Sequence, residues 1–302
     1  MLNHIEQFKT QMLNSGIKPP SDIISDGEIH RFSTKDNNND MAGWYVLYAN
    51  NIPAGCFGNW RTGMVINWCA KSKDEMSAQE WSNHRQLIGQ AKKQREKRQL
   101  QVNQQAAERA KYIWDNTEPA NQEHPYLVNK RVVPFVARQR GNTLVLPIVN
   151  FEHEIQSLQF INPDGTKKLL SGGAKKSNFI PVSWVSSPKK ILICEGYATG
   201  ATLAAAYPDC SVVAAIDAGN LIFVSTLIRH HWPDTPMLIC ADDDRLTPGN
   251  PGITKAREAA IAAGADYTEP VWPKDAPISL SDFNDLINWK ATRISKRTKE
   301  VS

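Results

Sequence analysis

Cysteine is scarce in this chain, five among 302 residues, and no two of the five form a C-x-x-C pair. Cys56 and Cys69 stand thirteen positions apart with no H-x3-H companion, so the spacing of a structural zinc site is missing and no zinc is expected. So few cysteines suit a reducing compartment. Long apolar runs are absent as well. None approaches the about 20 residues of a membrane span, and no membrane partner is expected. The opening Met1-Leu2-Asn3-His4-Ile5-Glu6-Gln7 has neither the basic nor the apolar region of a secretory signal, which leaves a cytoplasmic location as the expectation. There is no G-x-x-x-x-G-K-[ST] loop; Gly172-Gly173-Ala174-Lys175-Lys176-Ser177 only looks like one. Net charge is just +4, so bulk electrostatics does not by itself call for a nucleic-acid partner.

At this length two or three domains are expected, and a hydrophobic content of 41% suffices for a core. Two stretches carry most of the chemistry: Ile191-Leu192-Ile193-Cys194-Glu195-Gly196, and Met237-Leu238-Ile239-Cys240-Ala241-Asp242-Asp243-Asp244. Each is an apolar run of buried-strand length that ends abruptly in carboxylate. Parallel strands of an open α/β sheet present their carboxyl ends on one edge, where ligands bind. Glu195 and the Asp242/Asp244 pair therefore have a place to converge, with Asp243 on the other side if the strand alternation persists. Carboxylates crowded at one edge repel one another unless a divalent cation lies between them, and hard oxygen donors suit Mg²⁺ or Mn²⁺. A lone acid after a strand is also common as a helix cap, which is the bland reading of Glu195. No EF-hand offsets follow the Asp triplet. Gly196 lets backbone beside Glu195 approach a phosphate closely.

These residues resemble a known family. Glu195-Gly196 after one strand, Asp242-x-Asp244 after another, and Asp282-Phe283-Asn284-Asp285 further on are similar to the topoisomerase–primase (TOPRIM) domain. The likeness extends upstream through His124-Pro125-Tyr126-Leu127, Leu144–Ile148, Leu158–Ile161 and Pro163–Lys168, and it is nearest to primases of phages, plasmids and satellite elements. The resemblance implies that Glu195 acts as general acid or base, that Asp242 and Asp244 hold the metal, and that Asp282 joins them. Arg245 follows the pair as a basic residue does in bacterial-type primases. Lys167, Lys168, Lys175 and Lys176, with Lys255, are the implied holders of template or incoming triphosphate; solubilising hairpin lysines are the alternative for the first four. The implied activity is a nucleotidyl transfer that makes short RNA or mixed primers on single-stranded DNA from nucleoside triphosphates. A TOPRIM nuclease with the same carboxylates, or a single-stranded-DNA-binding replication accessory factor without catalysis, are the rivals. No helicase motor is visible, so a replicative helicase on another chain, or in a region outside this sequence, is an expected partner.

The expected fold class is α/β, α+β overall: a TOPRIM-like parallel sheet flanked by helices. Before it should come a mixed β-rich basic subdomain, a long polar helix and a small amino-terminal β domain. Residues 1–72 read as that β domain, with strands near Trp44–Ala49, Ile52–Phe57 and Met64–Trp68, a turn at Asn50-Asn51 and a polar loop at Asp36–Asp40. Trp60, Arg61, Trp68 and Arg31 are candidates for stacking and phosphate contact with single-stranded DNA, against a plain Trp-rich core. Residues 73–118 read as a helical linker capped by Ser77 and Glu80, whose many basic residues look first like a solvated face. Residues 119–186 form the β-rich subdomain and 187–288 the catalytic unit, whose βαβαβα rhythm argues a parallel sheet. Residues 289–302 read as a basic tail.

Overall fold

The computed structural model describes residues 3–34, 41–49 and 52–300, with side chains to residue 294; the Asp36–Asp40 loop and the Asn50-Asn51 turn lie outside the described residues. Two units divide the chain, residues 1–100 and 101–302.

The amino-terminal unit opens with helix α1 (His4–Asn14), which sequence reading did not anticipate. Asn3 caps it by accepting from the Ile5 amide at 3.3 Å. Its end is a Schellman turn: Gly16, at φ 77°, and Ile17 return their amides to Leu13 and Met12. Phe8 and Met12, one turn apart, are fully buried against Tyr45, Leu47 and Phe57. Strands β1 (His30–Phe32), β2 (Gly43–Tyr48), β3 (Ala54–Asn59) and β4 (Met64–Cys69) make an antiparallel sheet in that order. Helix α2 (Ala78–Asp115) then begins at the expected cap, where the Ser77 amide donates to Glu80 Oε2 at 2.9 Å and the Glu80 amide to Ser77 Oγ at 3.2 Å.

In the second unit the last turns of α2 bury Ala106 and Ala110, the latter against Val145 and Leu158. An antiparallel sheet follows in the order β5 (Glu118–Pro119), β6 (Arg138–Arg140), β7 (Thr143–Val149), β8 (Ile155–Ile161) and β9 (Lys167–Leu169), with α3 (Pro125–Lys130) inserted after β5. The second sheet has the order β10-β12-β11-β13-β14. Here β10 is Ile180–Ser183, β11 Ile191–Cys194, β12 Ser211–Ala214, β13 Met237–Cys240 and β14 Asp266–Thr268. All its pairings are parallel except β10 with β12, as the alternating strand and helix pattern predicts. β10 falls in the segment read as β-rich subdomain, yet it pairs with the catalytic sheet, and Val149 bridges to Phe179 just before it. The 119–186 segment and the parallel sheet thus share one core.

Alternation along the parallel strands builds two apolar layers. Leu192, Cys194, Val212 and Ala214 face α4 (Tyr197–Ala206) and the antiparallel sheet, while Ile191, Ile193, Val213 and Ile239 face α5 (Leu221–His231) and α6 (Pro251–Ala263). α4 lies close because its residues are small: a Cβ on Gly200 would stand 2.9 Å from Val182 Cγ2 and 3.3 Å from Cys194 Sγ. The final helix, α7 (Phe283–Glu300), runs through most of what sequence reading took for a tail. Its Asn284 amide donates to the Lys130 carbonyl at 2.7 Å and to Thr202 Oγ1 at 2.8 Å. Among the described residues, no helix is long and apolar enough to cross a membrane.

Candidate active site

β11 and β13 are adjacent and in register, Cys194 opposite Cys240, so the chain leaves the sheet at the same level in both. Glu195 follows the first strand directly and Asp242 follows the second after Ala241. Burial and negative neighbours act together on both. Desolvation and then the charges of Asp244 and Asp217 raise Glu195 to about 7. Desolvation, followed by Glu195, Asp282 and Asp244, raises Asp242 to about 8. Asp282 is pushed upward by its burial, against a hydrogen bond from the Asp285 amide at 2.7 Å. The sequence-predicted acids therefore do converge: Asp242 feels Glu195, Asp282 and Asp244, and Glu195 feels Asp244.

Their supports differ. Asp244 Oδ2 accepts from the Gly252 amide at 3.0 Å, at the start of α6, where a Cβ on Gly252 would collide with the Asp242 carbonyl. Asp243, buried, faces away from this group: it accepts from Asn250 Nδ2 at 2.6 Å and Trp272 Nε1 at 2.8 Å. Asp243 is thus a brace for the loop. Arg245 spans from that brace to the Pro277 and Leu280 carbonyls, at 2.8 and 2.7 Å, with its guanidinium 4.4 Å from the Trp272 ring centroid. Nη2 is thus spent within the protein, while Nε, 3.6 Å from Asp243 Oδ2, is buried without a hydrogen-bond partner.

Of the basic residues, Lys167 at the start of β9 belongs to the acid cluster. Its charge opposes the upward shifts of Glu195, Asp242 and Asp282, and a Cβ on Gly196 would lie 3.8 Å from its Nζ. Gly196 thus leaves open backbone beside both Glu195 and the lysine. Lys175 is ion-paired with Asp217. Lys176 sits 4.2 Å above the Phe223 ring, Lys168 is exposed, and Lys255 pairs with Glu258 at 2.7 Å on the surface of α6. Arg31, Trp60, Arg61 and Trp68 all lie in the amino-terminal unit. Trp60 and Arg61 form the exposed β3–β4 turn, with Trp60 stacked on Trp44 at 5.2 Å. Trp68 packs edge-on against Phe8, and Arg31 donates to the Met41 carbonyl at 3.0 Å.

Asp217 was missed as a site residue. It follows β12, the strand on the other side of β11, and adds a further carboxylate at the same edge. Ile216 before it has φ 79°, an uncommon conformation for a β-branched residue, which turns the chain so that the Ala218 amide donates to Glu195. The signal was available: Ser211–Ile216 is a third apolar run ending in an acid. Buried Asn220 then donates from one amide to the carbonyls of Lys175, Asn178 and Ala215, at 3.1, 2.9 and 3.0 Å, and accepts from the Ser177 amide. It pins the Lys175–Asn178 loop to this edge.

Among the described residues, no three His, Cys, Asp or Glu side chains already stand as a ligand set for one metal ion. The chemistry of the donors nevertheless fits a hard divalent cation. Asp242 Oδ1 is buried with no hydrogen-bond partner, and the surrounding groups are carboxylates that repel it.

With that geometry in view, residues 190–292 match the Toprim domain family. Two curated proteins from Escherichia coli, both named DNA primase TraC, are similar to most of the chain. One is 33% identical over 279 residues, which is 84% of this chain and 25% of that protein. The other is 30% identical over 300 residues, 92% of this chain and 21% of that protein. This chain therefore spans about a quarter or less of the relatives it matches. Among solved structures, the primase fragment of the bacteriophage T7 primase-helicase protein aligns with 17% identity and a TM-score of 0.36, over 52% of this chain and 62% of that one. The DnaG primase catalytic domain bound to ssDNA aligns with 15% identity and a TM-score of 0.37, over 60% and 59%. The chain carries a Toprim domain and is a relative of the Toprim DNA primases, as its motifs led us to expect.

Proposed function

We propose that this protein is a DNA primase, joining nucleoside triphosphates into short RNA or mixed primers along a single-stranded DNA template. The observation that carries the reading is the convergence of Glu195, Asp242, Asp244 and Asp282 at one sheet edge, with two of them pushed toward neutral pH by burial and mutual repulsion. Glu195, Asp242 and Asp244, with Asp282 beside them, would hold Mg²⁺ or Mn²⁺. When bound, such an ion neutralises triphosphate charge and aligns nucleophile with leaving group.

The protein's own groups have separable tasks. Burial and its acidic neighbours raise the cation-free Glu195 carboxyl to about 7, and a cation beside it would favour the ionised form, which can accept the proton of an attacking hydroxyl. Lys167, poised over Gly196 at the mouth, attracts a phosphate toward the acids that would otherwise repel it. Lys175, held on the loop that Asn220 pins, supplies a second positive charge at the same edge. A replicative helicase, on another chain or in a longer form of this one, would supply unwinding.

The test is dinucleotide and primer formation on defined single-stranded templates with radiolabelled nucleoside triphosphates. Wild type should make product only with Mg²⁺ or Mn²⁺, and Glu195→Gln and Asp242→Asn/Asp244→Asn should make none. Full activity in either variant ends the assignment. Template cleavage without nucleotide incorporation would point to a nuclease instead.

A further inference from the structure

The amino-terminal unit holds a groove of about 730 Å³ between the β2–β3–β4 face and the amino-terminal half of α2. Tyr48 and Trp81 give it aromatic walls, while the Trp68 ring turns to the other sheet face against Phe8. Five cations line it, Lys71, Lys73, Arg85, Lys92 and Arg95, and no carboxylate does. Lys71 and Lys92 are paired outside the groove, with Glu80 at 3.0 Å and Glu96 at 3.9 Å. Lys73 and Arg95 instead lie over rings, 5.8 Å from the Trp81 centroid and 5.6 Å from that of Tyr48.

Two polar atoms here are buried without a hydrogen-bond partner, the Tyr48 hydroxyl and Arg95 Nε. A buried donor left unmet is costly, so two in one groove call for an acceptor that arrives from outside. The ligand must also bring negative charge for the cations and flat faces for the rings. An apolar peptide would cover these cations without countercharge. A duplex keeps its bases stacked inside. Single-stranded nucleic acid offers both phosphate and free base faces.

We propose that this groove binds a single-stranded nucleic acid, with phosphate accepting from Arg95 and Tyr48 and a base resting on Trp81. The binding is independent of the carboxylate site; under the reading given above, its ligand is the template strand. It places the contact in the cleft rather than at the Trp60-Arg61 turn, and it assigns the basic start of α2 to ligand rather than to solvent alone.

The experiment uses the full chain and a fluorescein-labelled oligothymidylate, followed by anisotropy in chelator with no nucleotides present. Trp81→Ala and Arg95→Gln should each weaken binding by about fivefold or more, the range of one lost stack or phosphate contact. Arg95→Gln should also lower the salt slope by about one. Tyr48→Phe, which keeps the ring and the fold, should weaken binding by about two- to fivefold. Tyr112→Ala, an exposed ring further along α2, should change it less than about twofold. Groove variants that stay folded by near-ultraviolet dichroism yet bind like wild type overturn the proposal, as does a wild-type chain that binds no oligonucleotide. Since no metal or nucleotide is present, a failure of primer synthesis leaves this result standing, and the converse holds too.

Discussion

Replacing Asp242 with Asn should stabilise the metal-free protein while destroying its activity. In the folded chain Asp242 is raised from the usual 3.8 to about 8, first by burial and then by its acidic neighbours. A group that holds its proton more tightly folded than unfolded loses stability as pH rises from the lower value to the higher. Below about pH 4 the effect is nil, and above about pH 8 it is complete. At about 1.4 kcal/mol per pH unit the ceiling is about 6 kcal/mol. Glu195 shares the same repulsion, so relieving one member should recover a part of this, about 1–3 kcal/mol. For the unit of residues 101–302, at about 2–4 °C per kcal/mol, that corresponds to a rise of roughly 2–12 °C in midpoint. The assay is thermal unfolding in chelator, wild type against Asp242→Asn, at pH 8 and at pH 5. The gain should be large at pH 8 and small at pH 5, where the wild-type carboxyl already carries its proton. Added Mg²⁺ should raise the wild-type midpoint at pH 8 and leave the variant nearly unmoved. A variant less stable than wild type at pH 8 would show that burial, not charge, dominates at this position, and would refute the reasoning.

Lys167→Met removes the cation that counters Glu195, Asp242 and Asp282. Chelated protein should lose about 1 kcal/mol at pH 8 and less at pH 5, by the same unfolding assay, and primer synthesis should fall at least about tenfold. Asn220→Ala removes one hydrogen bond from each of three carbonyls and one amide, of which the Lys175 carbonyl keeps the Asn178 amide. We expect a loss of about 2–3 kcal/mol and tryptic cleavage at Lys175 or Lys176 that wild type resists. Gly200→Val would drive a branched side chain into Val182 and Cys194, at a cost of about 1–3 kcal/mol by denaturant unfolding.

The parallel sheet was legible because its strands are short, apolar and punctuated by acids, and because Gly and Ala crowd the helix after the first of them. Glu195, Asp242 and Asp244 were legible for the same reason. Asp217 was overlooked since its strand ends in Ile216-Asp217-Ala218-Gly219, which reads as a turn. Only the positive φ at Ile216 shows that the turn brings an amide to Glu195. α1 escaped notice because its apolar positions Ile5, Phe8, Met12 and Leu13 are few among polar residues and Leu13 stays exposed; the sheet beneath Ile5, Phe8 and Met12, not the helix itself, makes them decisive. Helix α7 was obscured by its basic residues, while the elements that hold it, Asn284 and Asn288 bonded to the Lys130 carbonyl, link positions over 150 apart. The groove beside α2 was invisible for a related reason. Tyr48 and Arg95 meet only in three dimensions.

Departures from local stability rules cluster at the sheet edge. A β-branched residue at positive φ, a buried carboxylate oxygen without a partner, and carboxyls raised toward neutrality all occur within the span from Glu195 to Asp244. Immediately beneath them the strands are buried and regular, with Ile193, Cys194, Val213 and Ile239 sealed from solvent. The rigid layer keeps the acids from moving apart to relieve their repulsion, which is the condition for a site that takes up cations strongly. Asp243 shows the contrast within a single triplet. Its carboxylate is fully engaged by Asn250 and Trp272, so it adds charge to the brace instead of the cluster. Losing it should therefore disturb the loop and α6 before it disturbs chemistry. Asp243→Asn keeps an acceptor for one donor and should retain cation-dependent stabilisation, whereas Asp242→Asn should not; equal loss in both would mean the triplet acts as one unit.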